Sequence, residues 1–141
     1  MSRIFWDTNL FIYLLEGRGE AAHSVAMLRQ RMRERGDQLC TSTLTLGEVL
    51  VKPTEAARPD LVAKYEEALT SAAVLLIPFD RNCARIYARL RHDKSIRAPD
   101  AIQLACAASA SCDLFITNDD RLSRKVVPGI QFVVPLDRAF L

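Results

Sequence analysis

A chain of 141 residues, half of them hydrophobic and 26% charged, has the composition of a globular protein with one core and excludes a disordered chain. No apolar run approaches the ~20 residues of a membrane helix, and Asp7 interrupts the first apolar run too early for a signal peptide. A single domain over residues 1–141, working in the cytoplasm, is therefore expected. The net charge of +2, from 19 basic and 17 acidic residues, singles out no class of partner by itself.

Ile4-Phe5-Trp6 reads as the first strand, ending in Asp7-Thr8-Asn9 before a short helix over residues 10–15 that Gly17 and Gly19 break. Ala21, Val25, Leu28 and Met32 then recur at helical spacing over residues 20–35, and Gly36 stops the helix. Arg29, Arg31, Arg33 and Arg35 along it are expected on a solvated surface. Residues 39–42 form a brief strand, and residues 43–51 a helix stopped near Lys52-Pro53. Residues 54–59 have the least ordered composition, and a helix resumes over 61–72. Val74-Leu75-Leu76-Ile77, closed by Pro78, suits a fully buried parallel strand.

Asp80 is placed to cap the helix that carries Cys83, Ala84, Ile86, Tyr87 and Leu90. Pro99 opens the next helix, residues 100–109, which is apolar or small nearly all round and should be central and buried. Leu114-Phe115-Ile116 is a strand ending in Thr117-Asn118-Asp119-Asp120, and after a short helical turn residues 131–134 form the last. Strands alternating with helices imply an α/β fold, a parallel sheet with helices on both faces.

Cys40, Cys83, Cys106 and Cys112 show neither Cys-x-x-Cys spacing nor nearby histidines, so they read as reduced, buried thiols. His23 and His92 lie far apart among charged residues and read as solvated side chains. The chemistry is left to the carboxylates.

Four of these stand in comparable positions, each with a structural role to weigh against a functional one. Asp7 could cap the helix after it, and Thr45-Leu46-Gly47-Glu48 fits a capping box. Asp100 lies in a first helical turn, where the helix dipole favours it, and Asp119 could belong to an Asn-Asp turn. Together these roles explain less. Asp7 and Asp119 both follow apolar strands, so both belong at one edge of the sheet, where open α/β sheets bind ligands. Glu48 and Asp100 sit in early turns of otherwise apolar helices. Like charges gathered in one hollow repel, and a divalent cation resolves the conflict. Hard carboxylate oxygens without His or Cys select Mg²⁺ or Mn²⁺. With four acids withdrawn to such a site, 13 acidic residues remain against 19 basic, a surface of +6 suited to a polyanion.

In these residues the chain resembles the PIN-domain ribonucleases, and among them the VapC-type toxins of bacterial type II toxin–antitoxin pairs. Asp7-Thr8-Asn9 resembles the family's opening motif, and Ser42-Thr43 leading into Leu46-Gly47-Glu48-Val49-Leu50 the second. Pro99-Asp100-Ala101-Ile102-Gln103-Leu104-Ala105 is similar to the third and Thr117-Asn118-Asp119 to the fourth. The resemblance implies a PIN-like three-layer fold, a five-stranded parallel sheet flanked by helices. It also implies metal-dependent RNA cleavage, a homodimer and an inhibitory antitoxin. Asp7 and Asp100 match the family's principal metal ligands, Asp119 and Glu48 complete the acidic quartet, and Asn9 and Thr117 match its polar neighbours. Asp120 is the alternative to Asp119 as ligand; the Thr-x-Asp spacing favours Asp119.

The expected activity is Mg²⁺- or Mn²⁺-assisted hydrolysis of an RNA phosphodiester, with Asp7, Asp100 and Asp119 holding metal and Glu48 or Asp119 orienting the water. Arg91, Lys94 and Arg97, which lead straight into Asp100, are candidates for holding the RNA backbone. Three alternatives compete. A haloacid-dehalogenase-type phosphatase also uses an aspartate after the first strand, but Asn9 stands where its second aspartate is needed. A receiver domain needs a phospho-accepting aspartate after the middle strand, where Pro78-Phe79 stands. The non-enzymatic alternative is a binding module whose acidic pocket holds a structural cation or a basic peptide.

Overall fold

The structure, a computed structural model, describes residues 1–139. Five short strands form one sheet: β1 (Arg3–Trp6), β2 (Gln38–Ser42), β3 (Val74–Ile77), β4 (Leu114–Thr117) and β5 (Phe132–Pro135). Their order is β3-β2-β1-β4-β5, and every neighbouring pair is parallel. Parallel neighbours need crossover connections. Helices α1 (Thr8–Glu16) and α2 (Glu20–Arg35) connect β1 to β2, and α3 (Thr43–Glu55) and α4 (Pro59–Thr70) connect β2 to β3. The pair α5 (Arg81–Leu90) and α6 (Ala98–Ser109) carries the chain from β3 to β4 at the other side of β1.

Period-two alternation sends neighbouring strand residues to opposite cores. Ile4 and Trp6 of β1, Leu39 of β2 and Ile116 of β4 pack with Leu10, Val25, Met32, Val49, Tyr65 and Leu69 of the first four helices. Phe5, Cys40 and Phe115 meet Cys83 and the α6 row Ala101, Leu104, Ala105 and Ala108. The Phe5 and Phe115 rings stack with centroids 4.9 Å apart. Full burial of each such side chain is worth roughly 1.5–3 kcal/mol, so the sheet is held from both faces. The four cysteines are free and buried, as their composition suggests. Among the described residues no helix is long and apolar enough to cross a membrane.

Some expectations change. β3 is not fully buried: it is an edge strand, and Leu75 is exposed. Helix α3 does not stop at Pro53 but runs through it to Glu55, and Pro59 opens α4, so only residues 56–58 separate the two. Pro99 takes the second position of α6 rather than the first, because Ala98 already belongs to the helix. Arg29 is buried, not solvated. It shares the inner stripe of α2 with Val25, Leu28 and Met32, and burial, reinforced by Arg33, lowers its pKa.

Candidate active site

β1 is where the strand order reverses: β2 follows on one side and β4 lies on the other. The crevice beyond the carboxyl ends of β1 and β4 is the usual ligand position in such a sheet. Asp7 stands there at the first residue after β1, its backbone N–H still donating to Ile116 O at 3.0 Å. One carboxylate oxygen caps α1, accepting Thr8 N–H at 2.9 Å. The other accepts the Thr117 hydroxyl at 2.8 Å. The same Thr117 oxygen accepts the backbone N–H of Asp119 at 3.0 Å. A single buried threonine therefore ties the acid after β1 to the acid after β4.

A hollow of about 190 Å³ opens above them, lined by Asp7, Thr8, Asn9, Glu48, Arg97, Pro99, Asp100, Gln103 and Asp119. All four carboxylates expected from the sequence face it, and so does Asn9. Asp120 is exposed and lines a neighbouring pocket with Ser123 and Arg124 instead. Asp7 caps a helix and faces the hollow at once. Glu48 is no capping-box residue, because Ser42 caps α3 by accepting Thr45 N–H at 3.3 Å. From the second turn of the helix, Glu48 accepts the Thr8 hydroxyl at 2.6 Å.

Gln103 organises the floor, and sequence reasoning assigns it no role. Its Nε2 donates to Thr45 Oγ1 at 2.7 Å and lies 3.2 Å from Thr8 Oγ1 and 3.4 Å from Glu48 Oε1. Its Oε1 accepts the Ser42 hydroxyl. The available signal is a lone amide one turn after Asp100 on an otherwise apolar helix.

Burial raises the pKa of Asp7, with Asp100 and Glu48 adding to it, against the Thr117 and Thr8 hydrogen bonds. Burial also raises Asp100, with Asp119 adding, while Arg97 and Arg121 oppose. Burial pushes Asp119 the same way, but hydrogen bonds from Arg121 and from backbone N–H groups outweigh it, and its pKa is lowered. Arg121 Nη2 lies 3.3 Å from Asp119, and Arg97 lies 3.6 Å from both Asp100 and Asp119. Among the described residues no three His, Cys, Asp or Glu side chains converge tightly enough to cage an ion unaided. The donor set nevertheless suits a hard divalent cation: carboxylate oxygens only, with two acids whose charged forms burial disfavours.

The basic segment before α6 divides. Arg91 turns back on Tyr87, donating to its hydroxyl at 3.2 Å, with its guanidinium 5.9 Å from the ring centroid. Lys94 is exposed, and Arg97 reaches the hollow.

Residues 4–127 match the family model described as PIN domain. None of the curated proteins matches the chain. Among solved structures it is similar to a chain in the crystal structure of VapBC2 from Rickettsia felis bound to a promoter DNA fragment. That match has 16% identity over 94% of this chain and 98% of that one, with a TM-score of 0.75. It is also similar to DNA-bound VapBC from Salmonella typhimurium, with 19% identity, 96% and 99% coverage and a TM-score of 0.73. VapBC-5 from Mycobacterium tuberculosis, a member of the VapBC family of toxin–antitoxin systems, shares 25% identity over 95% and 99% of the two chains, with a TM-score of 0.62. The family match runs through β1 to β4 and takes in every carboxylate of the hollow. The chain belongs to the PIN-domain family.

Proposed function

We propose that the protein is a metal-dependent ribonuclease, the VapC-type toxin of a toxin–antitoxin pair, built as a single PIN-like domain over residues 1–141. PIN domains are in general nucleases that use divalent ions. The observation that carries the reading is the meeting of Asp7, Glu48, Asp100 and Asp119 at one hollow. Asp7, Asp100 and Asp119 would hold Mg²⁺ or Mn²⁺. When bound, the ion supplies charge neutralisation at the phosphodiester and a lowered pKa for the attacking water.

The protein's own groups supply position and proton transfer. Glu48, fixed by Thr8 and Gln103, faces the hollow with an oxygen able to orient a water and accept its proton. Thr117 holds Asp7 in one rotamer and the Asp119 turn beside it. Lys94, Arg97 and Arg121 offer cationic contacts for the RNA backbone, whereas Arg91 is engaged with Tyr87.

The partners are an RNA substrate, an inhibitory antitoxin and a second copy of the chain. The VapBC complexes among the structural relatives support an antitoxin. The deciding experiment is cleavage of RNA by purified protein with Mg²⁺, Mn²⁺ or EDTA. Cleavage should need the ion, stop in EDTA, and vanish in Asp7→Asn and Asp100→Asn variants that still fold. Undiminished cleavage in EDTA, or turnover retained by either variant, refutes the assignment.

A further inference from the structure

Arg97 lies across two of the site's carboxylates. Its Nε stands 3.6 Å from Asp100 Oδ2 and its Nη2 3.6 Å from Asp119 Oδ2, so one guanidinium meets an acid of α6 and an acid beyond β4. The fold builds this position, because Arg97 immediately precedes α6 and lies three residues before Asp100. The arginine side chain is 66% exposed and the two carboxylates only 21% and 27%. The cation therefore enters from solvent and stops at the mouth of the hollow. At 3.6 Å the contacts exceed the 2.7–3.2 Å of a direct N–H···O bond, and exposed ion pairs of this kind break easily. Arg121 behaves differently: it meets Asp119 alone, and its own backbone N–H donates to that carboxylate at 2.9 Å.

We propose that Arg97 is the site's resident counter-cation. It occupies the Asp100–Asp119 pair while no divalent ion is bound, gives the pair up when one binds, and then turns to an RNA phosphate. The inference rests on the metal-dependent nuclease reading above. A fork-shaped guanidinium can span two carboxylates and afterwards pair with a phosphate, which an ammonium cannot match. Arg97 thus opposes the ion and favours the RNA, so removing it should move the two affinities in opposite directions. A residue that merely supports the fold would weaken both.

The test measures two affinities on the full chain: Mn²⁺ binding, read from the spin resonance of free Mn²⁺, and binding of RNA in saturating Mn²⁺, the latter with every variant in a Glu48→Gln background that lacks the group assigned to take the water's proton. Arg97→Ala should tighten the Mn²⁺ Kd about three- to tenfold, the scale of two exposed ion pairs, and weaken the RNA Kd by a similar factor. Arg97→Lys should recover no more than half of the Mn²⁺ effect, because it keeps the charge without the span. Lys94→Ala removes an equal charge from the same segment and should leave the Mn²⁺ Kd within about twofold, since exposed charges farther off are screened. Unchanged or weaker Mn²⁺ binding in Arg97→Ala, or an equal shift in Lys94→Ala, overturns the proposal while the metal reading stands. Tighter Mn²⁺ with unchanged RNA affinity overturns the transfer to phosphate. Absence of Mn²⁺ binding in both wild type and Arg97→Ala overturns the metal reading and this proposal together.

Discussion

Burial of Asp7, reinforced by Asp100 and Glu48, disfavours its charge more than the hydrogen bonds from the Thr117 hydroxyl and Thr8 N–H favour it. The folded protein therefore holds its proton above the ordinary aspartate value of about 3.9. Between the ordinary and the raised value the folded state binds more protons than the unfolded, so the contribution is full below about pH 4 and is lost as pH rises through the raised value. Asp7→Asn removes this loss and keeps a good helix cap, since Asn caps as well as Asp. In EDTA the Tm of Asp7→Asn relative to wild type should climb steadily from pH 4 to pH 7; a difference constant with pH would contradict the raised pKa. Thr117 allows a second check. Thr117→Val leaves the Asp119 N–H and one Asp7 oxygen without their partner, which should cost about 1–3 kcal/mol in denaturant unfolding. Thr117→Ser should keep most of that stability. A large loss in Thr117→Ser with little loss in Thr117→Val would assign the effect to the methyl group and not to the hydroxyl.

Helix α3 shows why some elements can be read in advance and others cannot. Proline marks a stop on average, but here the Pro53 ring is buried in α3 and its carbonyl accepts Arg58 N–H at 2.9 Å. Ala57 N–H reaches Thr54 O at 3.1 Å, and the two bonds close a Schellman turn with Ala57 at φ 51°. Glycine normally fills that left-handed position, so the usual punctuation is missing from the sequence. α2 ends in the same closing pattern with Gly36 in place, and its end is legible for that reason. Ala57→Gly should therefore stabilise the protein by about 0.5–1 kcal/mol, seen as a Tm higher by about 2–5 °C; a lowered Tm would mean that the residue is not strained. The site divides in the same way. Asp7 and Asp119 can be located because an acid after an apolar strand is a local pattern, and parallel topology brings such acids to one edge. Gln103 cannot, because its role arises only when Ser42, Thr45, Thr8 and Glu48 from other segments meet around it. Nor can the edge position of β3, since an apolar run of four residues reads alike at the edge or the centre of a sheet.

At the scale of the whole molecule, the proposed RNA substrate can lie only where the charge distribution allows. The net charge is only +2, but 17 acidic residues include the four at the hollow, and three exposed cations, Lys94, Arg97 and Arg121, stand on the segments that frame it. Arg91 belongs to the same run of sequence, yet its guanidinium lies against Tyr87 with a buried Nε that has no partner among the described residues. Sequence proximity makes Arg91, Lys94 and Arg97 equivalent; packing separates them. Each phosphate engaged on a single strand adds about −0.7 to the slope of log affinity against log salt. With uncleavable RNA and saturating Mg²⁺, the double variant Lys94→Ala/Arg121→Ala should bind more weakly and flatten the slope by about 0.7–1.4, as expected when one or two phosphates go unpaired. Arg91→Ala should leave the slope unchanged and lower the Tm instead, because its stem no longer packs on Tyr87. If Arg91→Ala flattens the slope and the double variant does not, the strand runs along the α5 side of the molecule and not across the mouth of the hollow.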